Sequence, residues 1–260
     1  MTDLVLSDDR GAVRHVVLNR PEKRNAFNQE LVIATGEALR AAADDPAVHC
    51  VVLRGEGAMF SSGMDLGSLA GLAETPDMLR PFRRACTDAW NLAEDMAKPV
   101  VCQIHGACIG GAMELALACD LRVIAADALV GMPETRVGLI PDVGGSSRLP
   151  QVVGLGRAKE LIMTGRLIDG TEAERIGLAN RVAPAEELEA ATQALVDDLL
   201  ACAPVAVGLA KRVMDASARP AIAATLELEV AMQERCARSA DYAEGANAFR
   251  EKRPPQFTGS

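Results

Sequence analysis

One acid stands where an acid is costly. Glu114 sits in the apolar run Ala112-Met113-Glu114-Leu115-Ala116-Leu117, three residues after Gly111, within the stretch HGACIGGAMELALACD at 105–120. The β-like run Pro99–Ile104 stops at Gly106, so the stretch reads as strand, tight loop and helix start. The first N–H groups of such a helix have no partner within it and lie at the positive end of its dipole. Glycines at 110 and 111 remove the side chains that would block a ligand from reaching them. Glu114 falls one turn further on and shares a face with the helix mouth. An anion-holding backbone beside a lone carboxylate is what enolate chemistry needs.

Two further groups extend this. Ser62-Gly63 is a second glycine-marked backbone site, and two N–H groups aimed at one carbonyl oxygen would stabilise its developing charge. Such a donor contributes about 3–4 kcal/mol to a transition state. Glu134 follows Pro133 at a strand end, and Asp142 lies in a Gly/Pro-rich loop. Buried carboxylates placed together cannot all ionise freely, so one becomes an acid and another a base. Each residue also has a purely structural reading. Glu114 bonds helix-start amides, Glu134 pairs with Arg136, Asp142 caps the helix after Gly144-Gly145, and the glycines simply form loops. Other chemistries lack their frames. Ser61, Ser62, Ser146 and Ser147 are not in G-x-S-x-G. His15, His49 and His105 form no metal-ligand spacing, and His105 reads as a hydrogen-bonded strand end. GACIGG is not a dinucleotide fingerprint and no P-loop occurs. Neither a metal nor a separate cofactor is expected.

The elements that must position these groups follow from pattern. Of the 260 residues 49% are hydrophobic and only 3% aromatic, which predicts an aliphatic, partly helical core. Strands are expected at Ala12–Leu18, Val48–Arg54, Leu121–Ala125, Leu129–Gly131 and Leu178–Val182. Asn28 is placed to cap a helix to about Asp44, Asp65 a short helix, and Thr171 another ending at Gly177. A helix is expected from Thr75 to Met96, and helices broken at Pro204 and Pro220 from Ala185 to Arg253. This predicts an α/β body, residues 1–199, followed by a helical region, 200–260. A net charge of −9 argues against nucleic acid as the main partner. Seven cysteines without C-x-x-C pairing read as reduced thiols of a cytoplasmic protein. No leader pattern opens the chain and no window reaches a membrane span, so no membrane association is expected.

In this order and spacing, FSSGMDL at 60–66, the 105–122 stretch, MPETRVGLIPDVGGSSRLP at 132–150 and GLANRV at 177–182 resemble the enoyl-CoA hydratase/isomerase (crotonase) superfamily. The resemblance runs from Arg20 to Arg253. It implies a spiral of ββα turns, two roughly perpendicular sheets and a C-terminal helical region that makes homotrimers or hexamers. It assigns the oxyanion-hole amides to Ser62 and Gly111, and the paired acids to Glu114 and Glu134, which hold a water between them. The substrate would be an acyl-CoA thioester. Its coenzyme A portion would lie near Lys23, Arg24, Ala26, Ser61, Asp65 and Leu66, with Phe249 and Lys252 reaching the nucleotide from a neighbouring subunit. One position departs from the hydratase pattern. An acid at Asp142 resembles the dienoyl-CoA isomerases, although those usually carry Asp at the position of Glu114. PET…GL.PDVGG also resembles 3-hydroxyisobutyryl-CoA hydrolases, which generally lack the acid at 114. The third carboxylate should raise a pKa or be neutralised by a neighbour such as Arg136. The resemblance therefore implies an enoyl-CoA hydratase of fatty-acid or related acyl-CoA degradation. A double-bond isomerase using Glu134 and Asp142 is the alternative. A thioester hydrolase and a non-catalytic acyl-CoA-binding protein come behind.

Overall fold

A computed structural model of the chain describes residues 3–65, 67, 79–218 and 221–258. The body is a six-stranded sheet in the order β1-β2-β3-β4-β6-β8. Its strands are β1 (Val5–Arg10), β2 (Val13–Leu18), β3 (Cys50–Gly55), β4 (Val100–Ile104), β6 (Leu121–Ala125) and β8 (Arg181–Ala183). Only β1 and β2 pair antiparallel; the other neighbours are parallel, with Leu53 opposite Cys102 and Gln103 opposite Val123. The central strands are buried on both faces, which is why they read as unbroken Val, Ile, Leu and Cys rather than as alternating patterns. A separate pair, β5 (Ala107–Ile109) and β7 (Leu129–Gly131), lies parallel. Five of the seven cysteines are buried and all seven are free thiols.

Helices cross between the strands. They are α1 (Gln29–Asp44), α2 (Leu79–Asp95), α3 (Gly111–Ala118), α4 (Gly145–Val153), α5 (Leu155–Thr164) and α6 (Gly170–Arg175). Asn28 caps α1 as expected, accepting the Leu31 amide at 3.0 Å. Four more follow β8: α7 (Leu188–Leu200), α8 (Pro204–Ala218), α9 (Ile222–Ala237) and α10 (Ala240–Glu251). Lys211 ties α8 to the body: its Nζ lies 2.8 Å from Asp120 Oδ2 and 2.9 Å from the Ala93 carbonyl. No single helix among the described residues is long and apolar enough to cross a membrane.

Several local expectations change. β1 was not foreseen, because five of its six residues face solvent and only Val5 has an apolar contact to the core. Between β4 and α3 the chain is more than a tight loop, since it inserts β5. The α6 cap is Asp169, which accepts the Glu172 amide at 2.7 Å, not Thr171. The first residues of the helix expected at 75–96 lie outside the described residues.

Candidate active site

The site forms where β5, α3 and the loop before α4 meet. A cavity of about 720 Å³ opens there, lined at one end by Lys23, Arg24 and Ala26 and deeper by Glu114, Glu134 and Asp142. It also contains Ser62, Gly63 and Met64 on one side and Gly110-Gly111 on the other.

The backbone amides decide which groups can hold an oxyanion. Gly110 caps α3 with φ +58, a left-handed conformation suited to glycine, and donates to the Gly131 carbonyl. A side-chain carbon there would lie 2.7 Å from Glu134 Oε1, so glycine also admits that carboxylate. The Gly111 amide has no hydrogen-bond partner among the described residues. On the facing loop the expectation for Ser62 fails. Its amide donates to the Arg24 carbonyl at 3.0 Å and is not available to a ligand. Phe27 and Met64 form a parallel bridge in which Phe27 donates to the Gly63 carbonyl and Asp65 donates back to Phe27. In such a bridge the amide between them points the other way. The Met64 N–H is therefore without a partner among the described residues, and a Cβ at Gly111 would touch the Met64 side chain. Ser62 remains as a wall of the cavity.

Glu114, 2% exposed, projects from the first turn of α3, and its Oε1 accepts the Val143 and Gly145 amides at 2.9 and 2.8 Å. It thus bonds helix-start amides, but those of α4 rather than of its own helix. Burial pushes its pKa up, while the two amides and then Arg83 and Arg148 oppose the shift. A Cβ on Gly145 would lie 2.9 Å from Glu114 Oε1, so this approach also requires glycine. Glu134 starts a 3-10 turn, Glu134–Val137, and its Oε2 is buried without a partner. Burial first, then the charges of Glu114 and Asp142, drive its pKa well above the usual carboxylate range. Glu134 does not pair with Arg136, whose Nε donates to the Thr164 carbonyl at 3.0 Å.

Asp142 caps no helix. It is 3% exposed and meets Arg83 of α2, equally buried, with Nε and Oδ2 2.5 Å apart. Arg83, not Arg136, is the cation that faces the third carboxylate. Burial pushes Asp142 up to about 8 against the pull of Arg83, and Glu114 and Glu229 push the same way. Burial works to strip the Arg83 proton, yet the charge of Asp142 together with those of Cys86, Glu114 and Glu134 outweighs it and the net shift is upward.

Three participants escaped the sequence reading. Arg83 lies on the buried stripe Leu79, Phe82, Arg83, Cys86, Ala89, Trp90. Glu229 and Gln233 lie on the stripe Leu226, Glu229, Val230, Gln233 of α9. A polar residue at the apolar spacing of an amphipathic helix was the available signal in each case. Glu229 accepts the Gly144 amide at 2.7 Å and the Ser147 amide at 2.6 Å, capping α4 beside Glu114. Arg148 then holds α4 to α2, donating to Glu94 Oε2 and, at 2.7 Å, to Asn91 Oδ1.

The remaining expected residues divide. Lys23, Arg24, Ala26, Asp65 and Phe249 line the cavity, Phe249 on its own subunit's wall with Gly245 and Ala248 of α10. Ser61 is fully buried behind it, its Oγ donating to the Asn25 carbonyl at 2.7 Å and accepting the Gly63 amide. Asp65 pairs with Arg20 at 2.9 Å. Lys252 is exposed at the end of α10 and is not part of the lining, where Arg253 stands instead. Leu66 lies outside the described residues. No cluster of His, Cys, Asp and Glu among the described residues could hold a metal.

The family model described as Enoyl-CoA hydratase/isomerase matches residues 8–260. The chain belongs to the enoyl-CoA hydratase/isomerase family. It is 35% identical over 241 residues to crotonyl-CoA hydratase of Syntrophomonas wolfei, covering 92% of each chain. It is also 35% identical to an enoyl-CoA isomerase/hydratase of Mycosarcoma maydis, over 95% of this chain and 93% of the other. Among solved structures, carnitinyl-CoA hydratase from Mycobacterium avium superposes with a TM-score of 0.88 at 31% identity over the full length of both. The architecture is thus the crotonase fold, and the chain is an enzyme of that family.

Proposed function

We propose that the protein is an enoyl-CoA hydratase, adding water across the C2=C3 bond of a 2-enoyl-CoA thioester. The observation that carries this reading is the pair Glu114 and Glu134 lining one cavity with the free Met64 and Gly111 amides. The coenzyme A phosphates would approach Lys23 and Arg24 at the mouth, and the thioester carbonyl would enter between the two amides. Donors fixed in advance at that oxygen stabilise the enolate as it forms. The acids divide by environment. Two amides hold Glu114 Oε1 and favour its charged form, whereas Glu134 has burial and like charge against ionisation. Glu114 therefore takes a proton from the attacking water as the oxygen bonds to C3. The C2=C3 electrons move into the enolate, and Glu134 delivers its proton to C2. Return of the proton from Glu114 to Glu134 resets the site. No separate cofactor enters this scheme.

A double-bond isomerase is the second reading. It is favoured by Asp142, which lies in the same cavity and is pushed to about 8, near neutrality where a proton relay works best. The Arg83 contact counts against it, because it commits Asp142 to an ion pair. Mass spectrometry separates the two. Crotonyl-CoA that gains the mass of one water supports hydration. A 3-enoyl- or 3,5-dienoyl-CoA converted at constant mass, with crotonyl-CoA unchanged, makes the protein an isomerase and overturns the first reading.

A further inference from the structure

The inner end of the cavity is unusual in chemistry. An acyl chain is apolar, yet Arg83, Asp142 and Gln233 all line the space. Gln233 is 1% exposed, and its Oε1 accepts the Ile140 amide at 3.0 Å. That bond fixes which way the amide group is turned, leaving the –NH2 as the free end. Its Nε2 is buried with no partner, whereas Arg83 Nε is taken by Asp142 Oδ2 at 2.5 Å. One donor is thus unmet in a buried space that also holds an ion pair. Unmet buried donors are rare in native proteins and need a reason.

We propose that this end of the cavity selects acyl-CoA thioesters whose acyl chain carries a neutral carbonyl or hydroxyl oxygen, with the Gln233 amide as the donor that receives it. The inference rests on the reading of the cavity as an acyl-CoA site and names its substrate class. A purely aliphatic chain would displace water from this donor and return nothing. A carboxylate on the chain would face Glu114, Glu134 and Asp142, and Arg83 beside them is already paired with Asp142. A cationic group would leave the Gln233 donor unmet, because it accepts no hydrogen bond. A neutral oxygen acceptor fits all of these conditions.

Calorimetry with saturated thioesters tests this without turnover, using hexanoyl-CoA, its 4-oxo and 5-oxo derivatives and glutaryl-CoA. At least one oxo derivative should bind about tenfold more tightly than hexanoyl-CoA, the scale of one hydrogen bond to an otherwise unmet buried donor. Glutaryl-CoA should bind more weakly than hexanoyl-CoA. Gln233→Met should erase the oxo preference while hexanoyl-CoA still binds, which also shows that the variant is folded. Equal binding of the oxo and plain chains, survival of the preference in Gln233→Met, or glutaryl-CoA as the tightest ligand each overturns the proposal alone. Failure of every thioester to bind overturns the acyl-CoA reading and the proposal with it.

Discussion

Glu229→Gln isolates one buried proton. Glu229 is 5% exposed, and burial, aided by the Glu114 charge, raises its pKa from an ordinary 4.5 to about 7. The unfolded chain releases this proton near 4.5; the folded chain keeps it until about 7. Between those values the native state binds the extra proton, so the contribution is full at low pH and lost as pH rises through the window. The interval corresponds to about 3 kcal/mol at ~1.4 kcal/mol per unit. Glutamine cannot titrate but can still accept one amide of α4. Its –NH2 group adds a pH-independent cost of about 1 kcal/mol where it meets a donor. Denaturant unfolding of both proteins at one fixed protein concentration, from about pH 4.5 to 8, measures the difference. The variant should start less stable and gain on the parent by about 3 kcal/mol across the range. A gap that stays constant with pH would show that Glu229 carries no native proton, and the electrostatic account of the α4 cap would fall.

Three further outcomes follow from the same contacts. Gly110→Ala places a carbon 2.7 Å from Glu134 Oε1 at φ +58, so turnover should fall much more than thermal stability, which loses about 1–2 kcal/mol. Equal kcat in the variant would detach Glu134 from the chemistry. Asn25→Ala removes a fully buried amide that donates to the Glu56, Met59 and Phe60 carbonyls and accepts the Arg20 amide. Unfolding should cost at least ~3 kcal/mol less, since several buried groups lose partners at once. A loss below about 1 kcal/mol would mean that water replaces them. Arg148→Met leaves Glu94 buried without its guanidinium, and a thermal or chemical melt should show a loss of about 3–5 kcal/mol.

Local signals in the sequence proved reliable where both partners were local. Asn28 found its amide three residues away, and the bounds of β6 and β7 fall at the ends of short apolar runs. Glu114 stood out because an acid inside an apolar helix needs a partner wherever the partner comes from. The oxyanion loop was harder. Ser62 and Met64 flank the same glycine, and which amide stays free depends on Arg24 and Phe27, almost forty residues earlier in the chain. Arg136 was the nearby cation for the acids, but its side chain turns to the Thr164 carbonyl, whereas Arg83 arrives along a different helix. Sequence distance misleads here because the cavity is assembled from segments that touch only after α2, α9 and α10 have packed.

That packing gives the loop before α4 its role. Residues 142–148 receive Arg83 at Asp142, Glu114 at the Val143 and Gly145 amides, Glu229 at the Gly144 and Ser147 amides, and Glu94 at Arg148. Three helices thus fix one short segment through polar contacts, buried or half-buried, each requiring its partner. A side chain at Gly144 would overlap the Arg148 guanidinium, and one at Gly145 would press on Met132 and Pro141. The Gly144-Gly145 pair is therefore explained by close approach on both sides. Because Glu229 and Gln233 come from α9, the docking of a C-terminal helix sets the position of amides that hold Glu114. The helical region and the acid pair are in this way mechanically one unit. A change that shifts α9 by a fraction of an ångström should alter Glu114 before it alters the sheet.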